Sequence, residues 1–190
     1  MKHSYAVLKL FVVVLIFSLT ALAQGDSKRF DKDGLSFNYP NGWTLEDVSN
    51  TDAQQLTLGR SDLDAQIRFF VHRGKADTPE KLAQAKTKLI DPYVEATAKQ
   101  LSDAGGKPTR EPATIEIGGQ KAEGIRIKAV LDGIPGEAAI YWLTVGNRVV
   151  VLTLFGPDPA LKQATPAWNM VRSSLSIIDN KPAPGPTPPK

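Results

Sequence analysis

The sequence predicts an α+β fold, in which a twisted antiparallel sheet of about seven strands is flanked by helices. Three observations favour this class. Residues 65–72 alternate apolar and polar side chains with a period of two, which is typical of a half-buried strand. The second half of the chain holds four strand-like runs with short links that suit antiparallel hairpins. Residues 78–104 and 157–175 instead repeat apolar side chains at the helical spacings of three and four.

The first strands are predicted between residues 37 and 72. Phe37 and Tyr39 alternate with polar neighbours and precede Pro40-Asn41-Gly42, a cluster that ends a strand in a turn. The link at 59–62 contains Gly, Ser and Asp, and it joins two apolar runs as a loop does. The remaining strands of this half are predicted at 43–48, 55–58 and 65–72.

Two helical stretches are predicted on either side of the later strands. Thr78-Pro79 suits a helix start, because Thr caps the free amides and Pro lacks only an N–H that would be unpaired. Asp91-Pro92 repeats the pattern, so this stretch is either kinked or two successive helices before Gly105-Gly106. A turn or short helix is predicted at 157–165, and a final helix after Thr165-Pro166. The apolar stripes are Leu82, Ala85, Leu89 and Tyr93, then Leu161, Ala164, Trp168, Val171 and Leu175.

An antiparallel meander is predicted between the helices. Gly118-Gly119 and Gly146-Asn147 are two-residue links that suit the primed turns of hairpins. The third link is interpreted as a five-residue loop at 132–136. The four strands are predicted at 114–117, 121–131, 137–145 and 148–155.

Residues 1–23 are predicted to be a cleaved signal peptide, which implies an exported protein, periplasmic or extracellular. Lys2, His3 and Lys9 form a basic start, and Ala21-Leu22-Ala23 provides the small residues that signal peptidase requires. The apolar run at 10–19 is shorter than the roughly 20 residues that span a bilayer. An uncleaved anchor is therefore the weaker alternative, and no stable membrane insertion is expected after cleavage.

One domain is predicted at 24–180, followed by a proline-rich tail at 181–190. A domain of about 150 residues buries close to 70% of its unfolded surface, so one hydrophobic core suffices. The tail contains five prolines in ten residues and no large apolar side chain. Such a composition predicts a disordered or polyproline segment.

Composition excludes several classes of function. The chain has no cysteine, which removes disulfides, thiolate metal ligands and a cysteine nucleophile. Without residues 1–23 it has 21 basic and 20 acidic residues, a formal charge of +1. Because this balance gives no basic patch for phosphates, no nucleic-acid partner is expected.

No catalytic residues, metal ligands or cofactor are predicted, and the chain is expected not to be an enzyme. His72 is the only histidine after residue 3, and serine-hydrolase motifs are absent. Arg68, Arg126 and Lys128 occupy polar strand positions and could form a shallow basic ligand face, although long basic side chains on a sheet are more often solvating.

Residues 34–43 fit the pattern G-(L/F)-S-F-x-Y-P-x-G-W, with the sequence Gly34-Leu35-Ser36-Phe37-Asn38-Tyr39-Pro40-Asn41-Gly42-Trp43. Together with the preceding residues from Phe30, this segment resembles the PsbP-like superfamily, the PsbP/Mog-type α/β/α sandwich. The hairpin at 117–122 and the closing strand and helix at 149–177 are similar as well. The resemblance implies an antiparallel sheet between helices and an assembly, stabilising or partner-binding role, without shared catalytic residues.

The leading hypothesis is therefore an exported, non-catalytic binding or accessory protein. Its expected partner is an envelope or extracellular protein, or a small ligand. One alternative is a carrier of a small apolar or anionic molecule held between sheet and helices. A weaker alternative is a hydrolase that uses two carboxylates as acid and base, since such pairs need no recognisable motif.

Overall fold

Two antiparallel sheets and three α-helices make up residues 27–178, the part of the chain that the computed structural model describes. The predicted signal peptide and proline-rich tail lie outside the described residues. The strands are β1 (Ser27–Lys32), β2 (Leu35–Pro40), β3 (Thr44–Asp47), β4 (Ala53–Arg60), β5 (Leu63–Lys75), β6 (Thr109–Ile117), β7 (Gln120–Leu131), β8 (Ile134–Val145), β9 (Arg148–Pro157) and β10 (Ser176–Ile177). The helices are α1 (Pro79–Ala85), α2 (Asp91–Asp103) and α3 (Asp158–Ser174), with a π-helical segment at Lys86–Ile90.

The larger sheet has seven strands in the order β3-β4-β5-β9-β8-β7-β6, all paired antiparallel. The predicted α+β fold with a seven-stranded antiparallel sheet is confirmed. Two meanders, β3 to β5 and β6 to β9, lie side by side and meet where β5 pairs with β9. The two halves of the chain therefore share one sheet.

Two-residue turns with positive φ at both positions join the hairpins of the second meander. The predicted turns at Gly118-Gly119 and Gly146-Asn147 are confirmed, with φ values of 57° and 76°, and of 53° and 60°. Asp132-Gly133 is a third such turn, with φ values of 52° and 79°. The predicted loop at 132–136 is therefore wrong. Asp-Gly fits a primed turn, so β8 begins directly at Ile134.

Both faces of the larger sheet are covered by apolar side chains. The first, called the α3 face, packs on α3 and the smaller sheet through residues such as Ile67 and Trp168. The second, called the α2 face, packs beneath α1, the π-helical segment and α2 through residues such as Ile127 and Ile140. The predicted alternation of β5 is confirmed, because the odd-numbered residues from 65 to 71 are buried on the α3 face.

The smaller sheet, in the order β1-β2-β10, is not predicted by the sequence. Strand β1 carries one large apolar residue, Phe30, among five polar ones, and β10 has two residues. Both therefore lack a recognisable pattern. Phe37 of β2 stacks on Phe69 of β5 with ring centroids 4.2 Å apart, which seats this sheet against the larger one.

The helical stretch after β5 is divided at the predicted place. The amide of Lys81 donates a hydrogen bond to Thr78 Oγ1 (3.3 Å), which confirms the predicted cap. The π-helical segment separates α1 from α2 and runs directly into α2, in which Pro92 is the second residue. Leu82, placed by its spacing on the apolar stripe, is 41% exposed. In residues 27–178 no helix is long and apolar enough to cross a membrane.

The last helix, α3, is continuous from Asp158 to Ser174, so the predicted interruption at Thr165-Pro166 is wrong. Pro166 is exposed, and Thr165 Oγ1 donates a hydrogen bond to the Leu161 carbonyl oxygen (3.0 Å). The opposite side of the helix is buried on the sheet, and this packing outweighs the one lost helical bond. The buried residues are Ala160, Ala164, Ala167, Trp168 and Val171.

Candidate functional site

Arg126 and Lys128, two of the three predicted ligand residues, lie on the α3 face at one end of the sheet. They are two positions apart on β7, and alternate residues of a strand share a face. Both line a groove between the first half of α3 and the ends of β6, β7 and β8. The structure therefore brings these two predicted residues together.

Arg68 does not join them, because it lies on a separate strand and on the other face of the sheet. Strands β9 and β8 separate β5 from β7. Ile67 of β5 is in register, through β9 and β8, with Arg126, so the next residue along β5 belongs to the α2 face. There the Arg68 guanidinium donates to Gln66 Oε1 and lies 5.4 Å from the centre of the Phe155 ring.

The groove, called the basic groove below, is open to solvent and has a volume of about 630 Å³. Its floor is formed by the ends of β7 and β8, and its walls by α3 and the segment leading into β6. Four basic and two acidic side chains line it, so the lining is net positive. These charged residues are Lys107, Arg126, Lys128, Lys162, Glu137 and Asp158.

A two-pronged ion pair lies at the centre of the basic groove. Arg126 Nε donates to Glu137 Oε1 at 2.6 Å, and Arg126 Nη2 donates to Glu137 Oε2. Glu137 is directly opposite Lys128 in the β7–β8 register, which makes it a diagonal neighbour of Arg126. The Glu137 side chain is 9% exposed and that of Arg126 is 44% exposed. The hydrogen bond to Glu137 raises the pKa of Arg126, so the guanidinium stays charged.

The other cations of the basic groove differ in their partners. Lys128 Nζ donates to Glu111 Oε2 at 2.7 Å, and both side chains are well exposed. The side chains of Lys107 and Lys162 make no hydrogen bond or ion pair to any other residue between 27 and 178. Exposed ion pairs in water are weak, so Lys128 as well as these two lysines can turn to an incoming anion.

A buried aromatic pair lies on the same face of the sheet as Arg126, next to the basic groove. Tyr141 of β8 is 7% exposed, and its ring lies 6.0 Å from that of Trp168 on α3. Burial raises the pKa of Tyr141 and so keeps its hydroxyl protonated. Gly124 is opposite Tyr141, and a Cβ at that position would lie 2.3 Å from Tyr141 Cδ1. The absent side chain of Gly124 therefore makes room for the ring that positions α3.

Glu137 and Asp158 are the two carboxylates of the basic groove. Both oxygens of Glu137 accept hydrogen bonds from one guanidinium, an arrangement that favours recognition over proton transfer. Asp158 is exposed at the first position of α3. Within residues 27–178 no group of three or more His, Cys, Asp or Glu is arranged to hold a metal ion.

Sequence reasoning missed Glu137, Lys107 and Lys162. The sequence contains a feature that could have located Glu137, since a two-residue turn at Asp132-Gly133 places residue 137 opposite residue 128. Lys107 and Lys162 lie in a loop and on a helix, and no local pattern connects them. Their proximity follows only from the packing of α3 along the sheet.

The comparisons with known proteins identify the fold. Cyanobacterial PsbP (CyanoP) from Synechocystis sp. PCC 6803, a solution structure, matches with a TM-score of 0.50 and 16% identity, over 83% of this chain and 96% of that one. A crystal structure from Bacteroides thetaiotaomicron VPI-5482 matches with a TM-score of 0.52 and 14% identity, over 80% of this chain and 49% of that one. LpqN of Mycobacterium tuberculosis, described as involved in cell envelope biogenesis, has a TM-score of 0.46, 14% identity, and coverage of 80% and 90%.

No protein-family model and no curated protein sequence matches the chain. At 14–16% identity, the two structures with TM-scores of 0.50 and above show the fold alone. The chain has a PsbP-like α+β fold, which confirms the structural resemblance predicted from residues 30–43. Activity has to be argued from the site, because a shared fold does not carry a function with it.

Proposed function

We propose that this chain is an exported, non-catalytic binding protein that holds the anionic group of a ligand in the basic groove. The observation that carries the proposal is the convergence of four basic side chains on one cavity of about 630 Å³. Lys107 and Lys162 have no partner elsewhere in the described chain, so an anion bound there adds charge-assisted hydrogen bonds without breaking existing ones. A concave site also favours a small ligand over a flat protein partner.

Export is supported by the first 23 residues. Their basic start, apolar run and Ala21-Leu22-Ala23 end have the composition of a secretory signal. A chain without cysteine is compatible with an oxidising or a reducing compartment, so the absence of cysteine does not argue against export. A periplasmic or extracellular location is therefore part of the proposal.

Inorganic phosphate is a suitable probe of the basic groove. We expect a titration followed by ¹H–¹⁵N NMR to shift the amides of Arg126 and Lys128 while those of β3 stay in place. The double variant Lys107→Gln/Lys162→Gln should weaken phosphate binding roughly 30-fold, since each lysine contributes about 1 kcal/mol of screened attraction.

The matched control is Lys28→Gln/Lys121→Gln, which removes the same charge from two exposed lysines outside the basic groove. It should bind phosphate as the parent protein does. Equal losses in both double variants would show that net charge alone attracts phosphate. That result, or amide shifts scattered over the whole surface, would remove the groove as the binding site.

A further inference from the structure

A second cavity of about 270 Å³ adjoins the basic groove at the base of the β7–β8 hairpin. Ala129, Gly136 and Glu137 line both cavities. Apart from Glu137 and the exposed Asp64, the second cavity is lined by apolar side chains and glycine backbone, and it is called the apolar pocket below. Its larger apolar residues are Leu101, Leu131, Ile134, Phe155 and Pro157.

The two cavities lie on opposite faces of the hairpin, and the outer edges of its two strands are unpaired at this point. Pairing of β8 with β9 begins only at Gly136, opposite Pro157, and pairing of β7 with β6 reaches only to Lys128. Beyond these residues the hairpin is a two-stranded ribbon with free edges. A ligand can therefore pass around one strand from the basic groove to the apolar pocket without opening the sheet.

Two exposed aliphatic side chains lie along this route from the basic groove to the apolar pocket. Val130 lines the basic groove and is 55% exposed, whereas Ile134 lines the apolar pocket and is 54% exposed. They belong to opposite faces of the ribbon. Apolar surface in contact with water is unfavourable, and an alkyl chain laid against both residues would remove it from water.

We infer that the ligand is a single-chain anionic amphiphile of the fatty-acid type. Its acidic head lies in the basic groove near Lys107 and Lys162, and its alkyl chain passes Val130 and Ile134 into the apolar pocket. The inference rests on the proposed function and adds the chemical class of the ligand. The observation behind this inference is that charged and apolar surfaces are separated into two adjoining cavities. A purely ionic or a purely apolar ligand would occupy only one of these cavities.

Isothermal titration calorimetry of the exported protein with butanoate, decanoate and decanol tests this inference. Decanoate should bind at least tenfold more tightly than butanoate, since each buried methylene strengthens binding about fourfold. Decanol, which has the same chain without the charge, should bind less tightly than decanoate. Ile134→Ser should weaken decanoate binding severalfold and leave phosphate binding unchanged.

Val48→Ser is the matched control, because Val48 is 57% exposed and lies outside both cavities. Equal affinities for butanoate and decanoate would overturn the inference and leave phosphate binding, and with it the proposed function, standing. An affinity for decanoate that is unchanged in both Ile134→Ser and Lys107→Gln/Lys162→Gln would also overturn the inference. Failure of phosphate and decanoate alike would remove both proposals.

Discussion

Arg148 donates a hydrogen bond from Nη2 to Gln54 Oε1 over 2.5 Å, and both residues are buried, with 7% and 1% exposure. The network extends into the smaller sheet. Gln54 Nε2 donates to the Lys32 carbonyl oxygen (2.9 Å), and Arg148 Nη1 donates to that of Asp33 (3.0 Å). These two side chains therefore tie the β1–β2 hairpin to β4 and β9 of the larger sheet.

Gln54→Met should lower the free energy of unfolding by about 1–3 kcal/mol. Methionine fills a similar volume but removes the acceptor of Arg148 Nη2 and the donor to Lys32, and buried polar groups that lose a partner are costly. Gln55→Met, on the opposite face of β4, should cost less than about 0.5 kcal/mol. Urea unfolding followed by circular dichroism measures both variants. Equal losses would mean that the Gln54 network contributes nothing specific.

Gly124→Ala should destabilise the fold by about 1–3 kcal/mol, because the added Cβ meets Tyr141 Cδ1 at 2.3 Å and the Ile140 carbonyl oxygen at 2.5 Å. Gly59→Ala on β4 is the control, since nothing lies within 4 Å of a Cβ there. Thermal unfolding should show a lower midpoint for the first variant and little change for the second. An unchanged midpoint for Gly124→Ala would show that Tyr141 can move without disturbing α3.

Stability should decline between pH 4 and pH 2 through Asp47. Lys32 Nζ donates to its carboxylate at 2.8 Å and the Ser49 amide at 3.0 Å, and these bonds lower the pKa of Asp47 to about 2. The usual value for Asp is near 3.9, so the stabilisation is present above pH 4 and is lost as the pH falls through 2.

Asp47→Asn should therefore lower the urea midpoint at pH 7 and flatten its decline between pH 4 and pH 2. The control is Glu123→Gln, which removes an exposed carboxylate far along the sheet from Asp47. It should keep the decline of the parent protein. A parallel decline in the parent and in Asp47→Asn would assign the acid sensitivity to other groups.

Local patterns account for most of the fold that the sequence predicts. Gly-Gly and Gly-Asn links predict two hairpins, and the alternation at 65–72 predicts a strand with one buried face. The order of the strands is beyond such patterns. The pairing of β5 with β9 joins Gln66 to Phe155, and no local signal spans that separation. For this reason Arg68 is wrongly grouped with Arg126.

The basic groove is predicted in part for a similar reason. Arg126 and Lys128 share a strand, so the period of two already places them together. The position of Glu137 is not predicted once 132–136 is interpreted as a loop, because an error in the turn changes the register of every cross-strand pair in the hairpin. The cations contributed by α3 and by the loop before β6 depend on tertiary packing, which a single sequence does not reveal.

Pro166→Ala should raise the free energy of unfolding by about 1–2 kcal/mol. Pro166 is exposed in the middle of α3, where it removes one helical hydrogen bond to the Lys162 carbonyl, and alanine restores that bond without losing buried surface. The greater chain entropy of unfolded alanine offsets part of the gain. Pro159→Ala, at the second position of the same helix, should give no gain, because that amide has no helical partner. The urea midpoints of both variants measure this difference in stability. A higher midpoint for Pro166→Ala alone supports a continuous helix. A lower midpoint would mean that Pro166 sets a bend on which the packing of Trp168 depends.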